Sequence, residues 1–142
     1  MKTAISLLLA LFAAAELSAA DLSISDARVR ETLPGQAISA GYLTLVNQGA
    51  ADCQLLAVTS PVAPRIEMHE HSHHHGQMRM RAVAALSLPA GQSLTFESGG
   101  YHLMLLDLPA PLRPGESVTL RFDFGPCGAL EEAFPVVAVT DG

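Results

Sequence analysis

Residues 101–108 read "YHLMLLDL", and this stretch decides the fold class. Apolar side chains recur at every second position, at Tyr101, Leu103 and Leu105, as expected for a β-strand with one buried face. His102 and Met104 fall on the opposite face. The stretch therefore predicts a strand that packs on a core with one face and presents an imidazole and a thioether with the other.

Other short runs rich in Val, Leu, Phe, Tyr and Thr lie on both sides of this strand, among them "GYLTLVN", "SLTFES", "SVTLRFDF" and "FPVVAVT". They are separated by turn signals such as "NQGAAD", "LPAGQ", "RPGE" and "GPCG". No segment after residue 20 shows a long helical repeat. We therefore expect an all-β domain, either an antiparallel sandwich or a barrel.

The N-terminal residues have the composition of a secretory signal peptide. Lys2 precedes an apolar run, and Ser18 and Ala20 place small side chains before a cut at Asp21. A membrane anchor is the alternative, but the run is shorter than the roughly 20 residues needed to span a bilayer. No Cys stands at the cut to carry a lipid. We predict a cleavable signal peptide over residues 1–20, a single domain over residues 21–142, a periplasmic location and no membrane anchor after cleavage.

Charge and cysteine content limit the function classes. The net charge is −6 and the only lysine is Lys2, so the chain lacks the basic surface that nucleic-acid binding requires. Cys53 and Cys127 are expected in an oxidising compartment, where a disulfide between them can form, but their spacing leaves this open. They are not spaced as a metal-binding motif.

Histidine and methionine are concentrated in two short segments, whereas methionines that only fill a core would be scattered. In "QMRMR", Met78 and Met80 share one face of a strand, just as His102 and Met104 do. The pattern predicts two strands that direct their ligands at one point. All six histidines lie at positions 69, 71, 73, 74, 75 and 102, and the methionines other than Met1 lie at positions 68, 78, 80 and 104.

Ligand type indicates the metal. Thioethers are soft, neutral donors that suit Cu(I), whereas Zn(II) prefers thiolate, imidazole and carboxylate. Magnesium and calcium need oxygen ligands, and the chain has no Asp/Glu-rich loop. In an oxidising compartment, thioether and imidazole also avoid the disulfide formation that threatens a thiolate site. The residue types therefore predict a mixed Met/His site for Cu(I).

The spacing of these residues, H-x10-M-x21-H-x-M, resembles the motif of the PCu(A)C family of periplasmic copper chaperones. The stretches "AGYLTLVNQGAADCQLLAVTSPVAPRIEMHEH", "MRMRAV", "LSLPAGQSLTFESGGYHLMLLDL" and "LRPGESVTLRFDF" resemble that family in the same order. The resemblance implies a cupredoxin-like antiparallel β-sandwich of Greek-key type. The Cu(I) ligands that it implies are His69, Met80, His102 and Met104.

The resemblance also implies a function and partners. A protein of this family delivers its copper to the copper site of assembling cytochrome c oxidase. The expected partners are the oxidase subunit that holds this site, a thiol-containing copper assembly factor, or both, and the sequence does not identify the recipient. Enzymatic activity is not expected, because no catalytic arrangement of Ser, Cys, His and Asp stands out.

Further histidines and methionines suggest additional ligands. Met78 and Met68 are reserve candidates for a copper ligand, although strand alternation should turn Met68 away from His69. We hypothesise that the loop between His69 and Met80 forms a second, looser site for Cu(II), since imidazole clusters suit that ion. The alternative is a solvated polar loop. The histidines of this second site are His71, His73, His74 and His75.

Two other copper functions compete with delivery. A blue-copper electron-transfer centre would need a Cys ligand with His and Met close by, but Cys127 is followed by neither. A periplasmic copper or zinc buffering or resistance protein would use the same site as a chaperone. The sequence does not separate buffering from delivery.

Overall fold

The computed structural model describes residues 21–139, without the side chains of His73 and His74. The predicted signal peptide, residues 1–20, lies outside the described residues. The described part is built from β-strands, and it contains no α-helix. None of its elements is a helix of the length and hydropathy required to cross a membrane. The all-β fold predicted from the alternation of apolar residues is confirmed.

Eleven strands account for the described domain, together with a 3-10 turn over Gly125–Cys127. In chain order they are β1 Leu22–Arg30, β2 Ser39–Asn47, β3 Cys53–Leu55, β4 Ala57–Thr59, β5 Arg65–His74, β6 Gln77–Val83, β7 Leu86–Leu88, β8 Ser93–Phe96, β9 Tyr101–Leu106, β10 Ser117–Asp123 and β11 Ala129–Val137.

Nine of these strands form one continuous hydrogen-bonded sheet in the order β4-β10-β11-β1-β2-β8-β9-β5-β6. Strand β2 pairs with both β8 and β9, and β3 and β7 form a separate two-stranded sheet. The sheet folds into a β-sandwich, and most pairs are antiparallel. Two parallel pairs, β1 with β11 and β8 with β9, depart from the predicted all-antiparallel arrangement. The first pair joins the two ends of the described chain, whereas β8 and β9 are successive strands that share a single register pair, Phe96 with Tyr101.

The core lies between the layers and is filled by alternate residues of the strands. On β10, Val118, Leu120 and Phe122 are buried while their neighbours are exposed. On β9, Leu103 and Leu105 are completely buried. Each buried side chain of this size stabilises the fold by roughly 1.5–3 kcal/mol. The core therefore fixes the rotation of β9, and with it the direction of the side chains on its other face.

A β-hairpin replaces the predicted histidine-rich loop. Strands β5 and β6 pair from Met68–Val83 up to His74–Gln77, so the segment between His69 and Met80 is almost entirely strand. His75 and Gly76 form the two-residue turn, with φ of 50° and 77°. Two central residues with positive φ match the twist of a hairpin. Polar histidines carry no alternation of hydrophobicity, which is why the sequence did not reveal this strand pair.

A disulfide between Cys53 and Cys127 settles the question that the spacing left open. Their Cα atoms are 6.0 Å apart, within the range for such a bond. The bond joins the start of β3 to the 3-10 turn before β11. Because both thiols are used, the described chain has no free cysteine to serve as a blue-copper ligand.

Candidate metal site

Strand register gathers the candidate ligands on one face of β9, β5 and β6. His102 on β9 lies directly opposite His69 on β5, and His71 lies opposite Met80 on β6. Met104 lies two residues beyond His102 and therefore shares its face. We call this surface the ligand face, and its candidate ligands are His69, His71, Met80, His102 and Met104.

Three imidazole rings meet on the ligand face. The ring centroid of His102 is 5.5 Å from that of His69 and 4.9 Å from that of His71, both in edge-to-face orientation. His102 is only 5% exposed although it points away from the hydrophobic core. Its ring is therefore the centre of the cluster, with the two β5 histidines on its flank.

His69 has one ring nitrogen engaged and one without a partner. Its Nε2 lies 2.8 Å from Oε2 of Glu67, and its Nδ1 is buried with no hydrogen-bond partner. A carboxylate oxygen accepts only, so the Nε2–H donates to Glu67 and Nδ1 keeps its lone pair. This hydrogen bond is the main reason that the pKa of Glu67 is lowered. A carboxylate that orients a histidine in this way is common behind metal ligands.

His102 has the opposite tautomer to His69, with its proton on Nδ1. Its Nδ1 lies 3.3 Å from the carbonyl oxygen of Gly100, so Nδ1–H donates to that oxygen and the unprotonated Nε2 keeps a lone pair for a metal. Burial lowers the pKa of His102, with the Gly100 hydrogen bond acting against this and nearby His71 and His69 adding to it. A lowered pKa means that the ring is neutral at neutral pH, the state that binds a metal.

A cavity of about 300 Å³ opens on the ligand face. It is bounded by His71, Met80, His102 and Met104, while His69 lies beside it, next to His102. The remaining wall comes mainly from β1, β2 and the segment between them, together with Ser98, Gly99 and Val139. In this wall the guanidinium group of Arg30 lies 5.1 Å from the ring centroid of Tyr42, and the other wall residues include Leu33 and Ile38. Arg28 lies 5.2 Å from the same ring centroid but does not line the cavity.

The two reserve methionines are placed away from this cavity. Met68 is 6% exposed and packs in the hydrophobic core, opposite Leu103. Met78 is 61% exposed and lies opposite His73, closer to the hairpin turn than Met80. Neither residue lines the cavity.

The predicted second site is not brought together as a separate loop. His71 belongs to the ligand face and contacts His102, and His75 occupies the turn. The side chains of His73 and His74 lie outside the described residues. Among the side chains that the structure describes, no group of three or more His, Cys, Asp or Glu residues converges on a metal position.

The sequence alone does not identify Glu67 or the wall around Tyr42, and it predicts His71 in a separate loop site rather than on the ligand face. The spacing of His69 and His71 is that of one strand face, so the signal for His71 was present once the segment is read as a strand. Glu67 follows from the same alternation. The wall around Tyr42 carries no sequence signal, because it depends on the pairing of β2 with β9, which are far apart in the chain.

The Glu67 carboxylate provides a first test of the site. We expect Glu67→Ala to weaken Cu(I) binding by about tenfold or more, since loss of a group that orients a ligating histidine typically costs 10–100-fold in affinity. The matched control is Glu70→Ala, on the opposite face of the same strand, where the carboxylate faces Arg81. Competition titration with a Cu(I) chelator measures both variants. Equal affinities would show that Glu67 does not support a metal ligand.

Comparison with known proteins places the chain in a family. The family model described as "Putative lipoprotein LpqE-like" matches residues 22–136. A relative from Leifsonia xyli subsp. xyli (strain CTCB07), described as "Putative lipoprotein Lxx21020", is 35% identical over 94 residues, which are 64% of this chain and 57% of the relative. The chain thus spans little more than half the length of that curated relative.

Solved structures share the fold. The "Copper-bound PCuAC domain from PmoF2" superposes with a TM-score of 0.71 at 21% identity, covering 83% of this chain and 93% of that domain. The "Solution structure of CuI-DR1885 from Deinococcus Radiodurans" has a TM-score of 0.64 at 28% identity, covering 83% and 80%. The resemblance to PCu(A)C proteins is therefore supported at the level of the fold. The match over residues 22–136 shows that the chain belongs to the LpqE-like family.

Proposed function

We propose that this protein is an exported copper chaperone that binds one Cu(I) ion through His69, Met80, His102 and Met104. The observation that carries the proposal is the position of these side chains, of which three line one cavity and the fourth, His69, contacts the buried ring of His102. A donor set of two neutral imidazoles and two thioethers suits a soft, monovalent ion.

The state of the donors supports this assignment. His69 offers an unpartnered Nδ1 and His102 offers Nε2, because their other nitrogens are engaged by Glu67 and Gly100. A buried ring nitrogen without a hydrogen bond is costly unless it has another role, and ligation is such a role. The solved copper(I) form of the Deinococcus protein, at 28% identity, adds support from a relative.

The proposed location is the periplasm, reached through the signal peptide. The Cys53–Cys127 disulfide is consistent with an oxidising compartment. There, a Met/His site retains copper without an oxidisable thiolate. The description of the Leifsonia relative as a lipoprotein agrees with export.

We propose that the copper is handed to the copper site of assembling cytochrome c oxidase, either directly or through a thiol-containing assembly factor. Met80 is 53% exposed at the mouth of the cavity, so an incoming ligand of the recipient can displace it first. The buried His102 would then be the last ligand to release the ion. Stepwise exchange of this kind avoids free copper at any stage.

The competing function is periplasmic buffering of copper or zinc, and the histidine-rich hairpin favours it. Deletion of the gene from its host separates the two. Delivery predicts a loss of cytochrome c oxidase activity at low copper that added copper restores. Buffering predicts normal oxidase activity and increased sensitivity to excess copper or zinc, and that result would contradict delivery. Complementation with the His102→Ala variant should fail in either case, and with the Glu70→Ala variant it should succeed.

A further inference from the structure

Of the five candidate ligands on the ligand face, His71 is the one that the proposed Cu(I) site does not use. It lies opposite Met80 in the hairpin and lines the same cavity as His102 and Met104. Its ring is nearer to that of His102 than the ring of His69 is, at 4.9 Å against 5.5 Å. Its Nδ1 is buried and has no hydrogen-bond partner. His71 thus shares two properties with His69: its ring contacts that of His102, and its Nδ1 is buried without a hydrogen-bond partner.

We infer that His71 gives the cavity a second ligand set, in which His69, His71 and His102 bind Cu(II) in the same place where the Met/His set binds Cu(I). Imidazole and other nitrogen or oxygen donors suit Cu(II), whereas thioethers favour Cu(I). The two sets share His69 and His102 and differ in exchanging the methionines for His71. The inference rests on the proposed Cu(I) function and adds the oxidised ion to the same site.

The ring positions are close to what a shared ion requires. With metal–nitrogen bonds of about 2 Å, two imidazoles on one ion have centroids roughly 5 Å apart. The His71–His102 pair already has this separation, and the His69–His102 pair exceeds it slightly. The three rings, two on β5 and one on β9, do not converge on one metal position in the described structure. Only side-chain rotations are needed, because strand register already places all three residues on adjacent positions of one face.

A site that Cu(I) and Cu(II) share differs from two separate sites in the number of copper ions bound at one time. If both ions use His69 and His102, then occupancy by one excludes the other, and the total never exceeds one tightly bound copper. A histidine-rich second site elsewhere on the hairpin would instead bind Cu(II) whether or not the Cu(I) site is filled. The oxidation state of the copper would thus select the donor set within one cavity, without a change in stoichiometry.

Competition with Ag(I), a redox-inactive soft ion, tests the inference. The purified protein is titrated with Cu(II) and followed by electron paramagnetic resonance, with and without one prior equivalent of Ag(I). We expect one tight Cu(II) with nitrogen hyperfine coupling in the free protein, and at least a tenfold weaker affinity after Ag(I) has bound. Cu(II) that binds equally well in the presence of bound Ag(I) would overturn the inference while leaving the soft-metal site intact. Failure to bind Ag(I) at all would contradict the proposed function, and the shared site with it.

A His71 variant and a matched control at His75 test whether His71 itself is a Cu(II) ligand. His71→Asn should weaken Cu(II) binding at least tenfold and change Ag(I) binding by less than about threefold. His75→Asn removes an imidazole from the same hairpin, and asparagine tolerates the positive φ of that turn position. This control should bind both ions normally. Unchanged Cu(II) affinity in His71→Asn, or an equal loss in His75→Asn, would overturn the assignment.

Discussion

The Met80→Leu variant is expected to bind Cu(I) about a hundredfold more weakly than the unchanged protein. Leucine has nearly the volume of methionine, so packing is kept and the thioether is lost. Met80 is largely exposed, which removes any concern that the substitution disturbs the core. Loss of a group that merely supports a ligand costs 10–100-fold, so loss of the ligand itself should cost at least as much.

Met78→Leu is the matched control for this experiment. Met78 lies on the same face of β6, two residues away, and is exposed to a similar extent. It lies outside the cavity that Met80 lines with Met104. An anaerobic titration against a competing chelator should place the Met78→Leu affinity within about threefold of that of the unchanged protein. Similar losses in both variants would mean that the exposed methionines bind copper without the selectivity that the cavity implies.

Removing the Cys53–Cys127 disulfide should lower the free energy of unfolding substantially. The bond joins residues 74 positions apart, and the chain-entropy relation gives about 4 kcal/mol for a closed loop of this length. We expect the Cys53→Ala/Cys127→Ala variant to lose about 3–4 kcal/mol of unfolding free energy. This is a large part of the 5–15 kcal/mol that stabilises a typical domain.

Urea unfolding followed by circular dichroism measures this loss, and the reduced wild-type protein should unfold at nearly the same midpoint as the double variant. Neither cysteine lines the ligand cavity. Below the unfolding transition, therefore, the variant should bind Cu(I) as the unchanged protein does. A loss of under 1 kcal/mol would contradict the stabilising role, and a selective loss of copper affinity would point to an unexpected link between the bond and the site.

The alternation of residues 101–108 contained most of the information needed for the fold and for half of the site. Leu103 and Leu105 fill the core and turn His102 and Met104 to the opposite face, as period-two reasoning requires. The burial of Met68 follows from the same rule. These features depend only on neighbours along one strand, so a single sequence reveals them.

Features that depend on pairing between distant strands were not predictable. The histidine-rich segment was expected to be a loop because it lacks apolar alternation, yet it forms the β5–β6 hairpin and thereby moves His71 into the site. The disulfide required a Cα–Cα distance that spacing does not provide. The wall that contains Tyr42 and Arg30 lies beside the ligand face because β2 pairs with β9.

An anaerobic Cu(I) titration combined with X-ray absorption at the copper edge tests the proposed copper site most directly. We expect one tightly bound equivalent whose ion has both sulfur and nitrogen neighbours, in equal numbers. The sulfur neighbours should diminish in Met80→Leu and remain in Met78→Leu. A shell of nitrogen and oxygen alone, or the absence of any tight equivalent, would contradict the assignment of His69, Met80, His102 and Met104 as the ligands of the delivered ion.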